Sequence, residues 1–133
     1  MSGAVDHLAM AKQYLGEAFK FLEREDPFDA CEKIWAAVRH ATTVLAMRVL
    51  KEAEPPRGVS WRSFVKEAFI KADLSEEEAS KWASYFIDVR SSLHGDCFYG
   101  LMYEEEEHKP LMERAREYVD FVDKILKKLE CSS

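Results

Sequence analysis

The sequence has few of the residues that interrupt helices. Only 5 glycines and 4 prolines occur in 133 residues, and most of them fall between segments with helical periodicity. No segment alternates apolar and polar residues as a half-buried strand does, so no β-sheet competes with a helical interpretation. The glycines do not cluster, and neither GxGxxG nor GxxxxGK[ST] occurs. These absences exclude the two common nucleotide-binding loops.

Cysteines and long hydrophobic runs are also scarce. Cys31, Cys97 and Cys131 are odd in number, far apart and without CxxC spacing, which argues against a disulfide framework and a thiolate zinc site. We therefore expect reduced cysteines that fill space. The apolar runs are far shorter than the ~20 residues that cross a bilayer, and the N-terminus has no secretory pattern. We expect a cytoplasmic protein that makes no membrane contact.

The charge balance limits the partners. A formal net charge of −6 repels polyanions at long range, which disfavours duplex DNA as a ligand of a broad basic surface. Between Arg39 and Lys66, however, six cations outnumber two acids. A local basic patch is therefore compatible with the overall acidity.

Helical periodicity predicts an all-α fold, an antiparallel up-and-down bundle of four to five helices. With 47% hydrophobic residues in 133, the chain can form one core and has no room for another. We assign residues 1–133 to a single helical domain. The second predicted helix is apolar around much of its circumference, so we expect it to be central. The predicted helices cover about 5–23, 27–52, 60–73, 75–95 and 110–129.

Two helix starts carry a specific signal. Asp26 can cap the second helix, and Pro27 suits its first position. Ser75 and Glu78 have the S-x-x-E spacing of a capping box at the start of the fourth helix. Residues 95–103, GDCFYGLMY, cannot be assigned to helix or loop.

The stretch DVRSSLHGDCFYG contains the strongest candidates for chemistry. Arg90 and His94 are four apart, so on a helix they share one face beside the apolar stripe. Arginine can hold a phosphate and imidazole can transfer a proton near neutral pH, so the pair has the parts for metal-independent RNA cleavage. Asp96 can orient the imidazole. We take Arg90 and His94 as candidate catalytic residues.

A structural alternative explains the same residues without a ligand. In that alternative Arg90 forms an ion pair with Asp88 or with a neighbouring helix. His94 then caps the helix end, and Gly95 terminates the helix in the left-handed conformation.

Further residues are candidates for binding. Arg39 and His40 repeat the same residue types on the second helix, and can face Arg90 and His94 if the second and fourth helices pack together. At most one of them can share a site with Arg90, because adjacent helix residues point about 100° apart. The other candidate binding residues are Asp96, Phe98 and Tyr99.

Neither a metal site nor a cofactor is predicted. A carboxylate-bridged di-iron bundle needs paired Glu-x-x-His motifs on two helices. Glu105 and His108 provide one such spacing, inside an acidic run that is more simply the start of a helix.

Two segments resemble a known family. Ala30–Trp35 has the pattern A-x-E-K-x-W, and Leu93–Tyr99 has the pattern L-H-x-x-x-F-Y. With SWRSF between them, the chain from about Val5 to Leu129 resembles the archaeal PaREP-type repeat family. That family is placed in the HEPN superfamily of helical bundles related to nucleotides and RNA. The resemblance implies the fold and a homodimer more strongly than any activity.

The resemblance also bears on catalysis. Catalytic HEPN proteins carry an Arg, then a polar residue such as Asn or Asp, with about four to six residues before a His, and they assemble this pair across a dimer. Here only three residues separate Arg90 from His94, and Ser91 takes the polar position. The ribonuclease activity therefore does not transfer directly.

We expect a dimeric binding module for RNA, a nucleotide or a protein partner. The alternative is a metal-independent endoribonuclease that uses Arg90 and His94 across the dimer. A third hypothesis is one half of a toxin–antitoxin pair whose partner is a nucleotidyltransferase.

We predict that the protein is a homodimer. Its 3 Trp, 5 Tyr and 8 Phe carry more aromatic area than one small bundle readily buries, and the fourth helix with its aromatic extension is the expected interface. Equilibrium sedimentation at tens of micromolar should give twice the mass of the chain. A monomer mass at that concentration would contradict the prediction.

Overall fold

The structure, a computed structural model, describes the backbone of residues 2–132 and the side chains of residues 7–131. Residues 2–132 form helices and connecting turns, with no β-strand, which confirms the all-α prediction. No helix in this range is long and apolar enough to cross a membrane. The elements are α1 (Ser2–Glu23), α2 (Pro27–Val49), α3 (Trp61–Lys71), α4 (Glu76–Asp88), a π-helical segment (Val89–Tyr99) and α5 (Glu105–Ser132).

Helix α2 lies at the centre of the bundle. α1 packs antiparallel along it, and α3, the π-helical segment and α5 pack against its other sides. Ile34, Val38, Val44 and Leu45 are fully buried, so the helix is enclosed around much of its circumference, as its sequence predicts. α1 and α2 form one helical hairpin, and α3 and α4 form a second. The π-helical segment continues directly from α4 and lies beside the N-terminal half of α2.

The predicted caps start their helices. The Asp26 carboxylate accepts a hydrogen bond from the Asp29 amide at 3.2 Å, and Pro27 occupies the first turn of α2. The Ser75 hydroxyl accepts from the Glu78 amide at 3.1 Å at the start of α4. Each cap satisfies an amide that has no carbonyl partner within its own helix.

Helix α5 begins within the acidic run, ahead of the periodic segment 110–129. Its first residue is Glu105, and Pro110 lies inside it, where the missing amide removes one hydrogen bond. The buried His108 explains the earlier start, because its Nδ1 accepts a hydrogen bond from the Glu104 amide at 2.9 Å. The imidazole thereby caps the first turn.

The prediction that the fourth helix ends at His94 and Gly95 is wrong. α4 ends as an α-helix at Asp88 and continues as the π-helical segment, which has Gly95 in its interior. Gly95 is not left-handed, since Gly58 is the glycine with positive φ among the described residues. The π-helical turns, which are wider than α-helical ones, continue to Tyr99. The Gly100 amide then donates a hydrogen bond to the Gly95 carbonyl at 2.9 Å.

The expectation of reduced cysteines is also wrong for two of the three. Cys31 in α2 and Cys97 in the π-helical segment form a disulfide, with Cα atoms 6.4 Å apart, a usual separation for such a bond. The two residues are 66 apart in the sequence, so the bond depends on the packing of the π-helical segment against α2. Cys131 is free and exposed.

Two glycine-to-alanine substitutions should change stability in opposite directions. A Cβ on Gly100 would lie 2.5 Å from the Asp96 carbonyl oxygen, whereas a Cβ on Gly16 would meet nothing within 4 Å. Gly100→Ala should therefore lower the free energy of unfolding by roughly 1–3 kcal/mol. Gly16→Ala, inside α1, should raise it by about 0.5–1 kcal/mol. Urea unfolding measures both changes, and equal effects would contradict the assigned π-helical geometry.

Candidate functional site

The Arg90 side chain has no partner within the described structure. It is half-buried on the π-helical segment, and its guanidinium forms no hydrogen bond, ion pair or ring contact with any described residue. Asp88, the partner in the structural alternative, is exposed and forms no ion pair with it. No guanidinium nitrogen of Arg90 is a buried atom, so the charge is accessible to a ligand.

His94 is held by two residues of α2. Its Nδ1 lies 2.8 Å from Glu32 Oε1, and its ring stacks on Trp35 at 5.2 Å between centroids. Because a carboxylate only accepts hydrogen bonds, Nδ1 is the donor in this contact, and in the neutral ring the lone pair is then on Nε2. The imidazole keeps 28% of its side-chain surface exposed. It is therefore neither a helix cap nor a core residue, and its Nε2 is the nitrogen left for a ligand.

Among the candidate residues after His94, Phe98 and Tyr99 belong to the ring contacts around it, whereas Asp96 does not. Tyr99 is 72% exposed and contacts the His94 ring edge-on at 5.0 Å, while Phe98 packs against Tyr99. Asp96 is exposed and its charge acts on Glu107. Glu32, rather than Asp96, is the carboxylate that orients the imidazole.

Arg39 lies at the far end of a row of rings that starts at Tyr99. Its guanidinium covers Trp61 at 4.7 Å, and its Nε is buried without a hydrogen-bond partner in the described structure. We call this row the aromatic ladder; its successive centroid distances are 5.4, 5.4, 5.2 and 5.0 Å for Trp61–Phe86, Phe86–Trp35, Trp35–His94 and His94–Tyr99.

His40 is not brought to the same place. Its ring stacks on Tyr14, and its Nδ1 lies 2.9 Å from His7 Nδ1. Both contacts belong to the seam between α1 and α2. Of the adjacent pair on α2, only Arg39 faces the aromatic ladder.

Glu32 and Trp35 were missed as site residues, although both lie in the A-x-E-K-x-W segment. In the structure this segment meets the L-H-x-x-x-F-Y segment directly. The contacts between them are the Cys31–Cys97 disulfide, the Glu32–His94 hydrogen bond and the Trp35–His94 stack. The A-x-E-K-x-W motif marked both residues in the sequence. Its contact with the L-H-x-x-x-F-Y motif depends on the fold and could not be read from either motif.

These features define an all-α bundle protein whose central helix and π-helical segment together form one polar and aromatic surface. The model of the archaeal PaREP1/PaREP8 family matches residues 6–130. The chain belongs to this family. No curated protein and no solved structure matches it.

The His40 environment predicts a pH-dependent stability. Burial first, and then the charges of His7 and Arg39, lower the pKa of His40 below its usual 6.5. The unfolded chain therefore takes up a proton that the folded protein resists, so stability should fall as the pH drops below about 6.5.

Urea unfolding at several pH values measures this loss. His40→Gln, which can still form a hydrogen bond with His7, should flatten the decline. An unchanged pH dependence in that variant would contradict the assignment.

Proposed function

We propose that this protein binds single-stranded RNA or a nucleotide through the surface formed by Arg90, His94 and Tyr99. The observation that carries the proposal is the half-buried Arg90 side chain, whose guanidinium has no partner in the described structure. A phosphate would supply the two acceptors that the planar fork of an arginine can bind together.

The neighbouring aromatic residue supports a ligand that carries bases. Tyr99 is exposed beside an oriented imidazole, and a base can stack on it whatever its sequence. The net charge of −6 disfavours long polyanions, so the expected ligand is short and recognised locally. Single strands present unstacked bases, which duplexes do not.

The test is binding of labelled oligoribonucleotides of about 10 nucleotides and of ATP at fixed salt. Arg90→Ala should weaken binding tenfold or more, because a charge-assisted contact contributes roughly 1.5–3 kcal/mol. The melting temperature should change little, since no described residue pairs with the guanidinium. Tyr99→Ala should weaken binding through lost stacking.

Lys124→Ala is the matched control. It removes the same charge from α5, where the lysine is 75% exposed and paired with Asp120. This variant should bind as the wild type does. Equal losses in Lys124→Ala and Arg90→Ala would reduce the effect to net charge, and no binding by the wild type would exclude the proposed function.

A second candidate function is metal-independent RNA cleavage, favoured by the Glu32–His94 contact. Glu32 orients the ring so that Nε2 can accept the proton of a 2′-hydroxyl, and Arg90 can stabilise charge on the phosphate. A second subunit would supply the acid. Incubation of RNAs with and without a chelator should then give cyclic phosphate ends, and His94→Ala should abolish them.

The stability of His94→Ala separates a site from a structural role. If His94 only supports the fold, the substitution should cost about 0.5–2 kcal/mol and leave RNA affinity unchanged.

The homodimer remains a prediction, and less aromatic surface is left to support it than the composition indicated. Trp35 and Trp82 are buried in the bundle itself. The remaining support is the apolar surface after the π-helical segment, where Leu101 and Met102 are 69% and 52% exposed. Membership of the HEPN superfamily, a cytoplasmic location and a nucleotidyltransferase partner rest on the sequence alone.

A further inference from the structure

The disulfide joins the two elements that build the candidate site. Cys31 precedes Glu32 in α2, and Cys97 lies less than one turn after His94 in the π-helical segment. Both cysteines are fully buried. The bond therefore holds the carboxylate and the imidazole that form the 2.8 Å contact.

The π-helical segment needs such a restraint. π-helices are rare, mostly single turns, and frequent at functional sites, whereas this one covers Val89–Tyr99. Return to α-helical hydrogen bonding would change the angle between His94 and Cys97 around the helix axis. It would move the imidazole away from Glu32 and Trp35, and the disulfide opposes that rotation.

We propose that the Cys31–Cys97 disulfide is a redox-sensitive crosslink. Its reduction releases the π-helical segment from α2 and disassembles the site. This inference rests on the proposed function for its ligand, but the movement of His94 stands apart from it. Reduction then weakens RNA or nucleotide binding.

The fold accommodates both redox states. Cys97 Sγ lies 3.7 Å from the Pro27 carbonyl oxygen, so a thiol there has an acceptor. Reduced cysteines are small and apolar enough to remain buried. Reduction therefore does not require the bundle to unfold.

The chemistry is thiol–disulfide exchange with a dithiol reductant. One reductant thiolate attacks a cysteine sulfur, the S–S bond breaks, and the departing cysteine thiolate takes a proton. The second reductant thiol resolves the mixed disulfide, so two electrons and two protons pass to the protein. Since both sulfurs are buried, exchange requires local opening of the π-helical segment.

The test compares oxidised and dithiol-reduced wild-type protein by proton NMR of the histidine rings. Stacking on Trp35 should shift the His94 ring protons upfield in the oxidised form, with the assignment made by their absence in His94→Gln. Reduction should move them toward their free positions, while far-UV circular dichroism stays helical. RNA affinity should fall by about tenfold, as for one lost charge-assisted contact.

Two variants provide the controls. Cys31→Ser/Cys97→Ser should resemble the reduced protein under all conditions. Cys131→Ser, which removes the exposed free thiol, should respond to reductant as the wild type does. Titration of denatured protein should find one free thiol before reduction and three after.

The outcomes separate this inference from the proposed function. His94 resonances that do not change on reduction, or global unfolding on reduction, would contradict the redox proposal and leave a purely structural crosslink. Resonances that move on reduction, in a protein that binds no RNA or nucleotide in either state, would support the redox proposal and exclude the proposed ligand.

Discussion

The packing of the π-helical segment against α2 is the contact on which the candidate site depends. It brings Glu32 and Trp35 to His94 and closes the Cys31–Cys97 disulfide. These contacts cross between elements that are far apart in the chain, and they restrain a backbone geometry that is rare when unsupported. Without this packing, Arg90 and His94 would be two polar residues at the rim of an ordinary amphipathic helix.

The aromatic ladder connects this contact to the core. Phe86 packs between Trp35 and Trp61, so rings from α2, α3 and α4 support one another. Stacked and tilted ring pairs contribute beyond the area that they bury. The ladder is therefore structural in its interior, with the Arg39 guanidinium over Trp61 at one end and the exposed Tyr99 against the His94 imidazole at the other. A rigid apolar support of this kind keeps side chains in place for a ligand.

Much of the architecture was predictable because it depends on local physics. The central position of α2 followed from its apolar circumference, and the starts of α2 and α4 followed from Asp26 and Ser75, whose side chains satisfy amides three residues away. The acidic run left open whether it precedes α5 or forms its first turn, and the buried His108 side chain, which caps the helix, decides for the first turn. The continuation past Gly95 was missed for a related reason: glycine permits a helix end, but tertiary contacts decide whether the helix ends there.

The sequence by itself determined the helical class, the central helix, the caps and the two motif segments, since each depends on residues within a few positions of one another. It also placed Arg90, His94 and Tyr99 on one short stretch. Only the tertiary structure decided that Glu32 orients His94, that His40 belongs to the α1 seam and that Cys31 pairs with Cys97. These partners lie on different helices, and their meeting depends on the angle and register of packing, which no local pattern specifies.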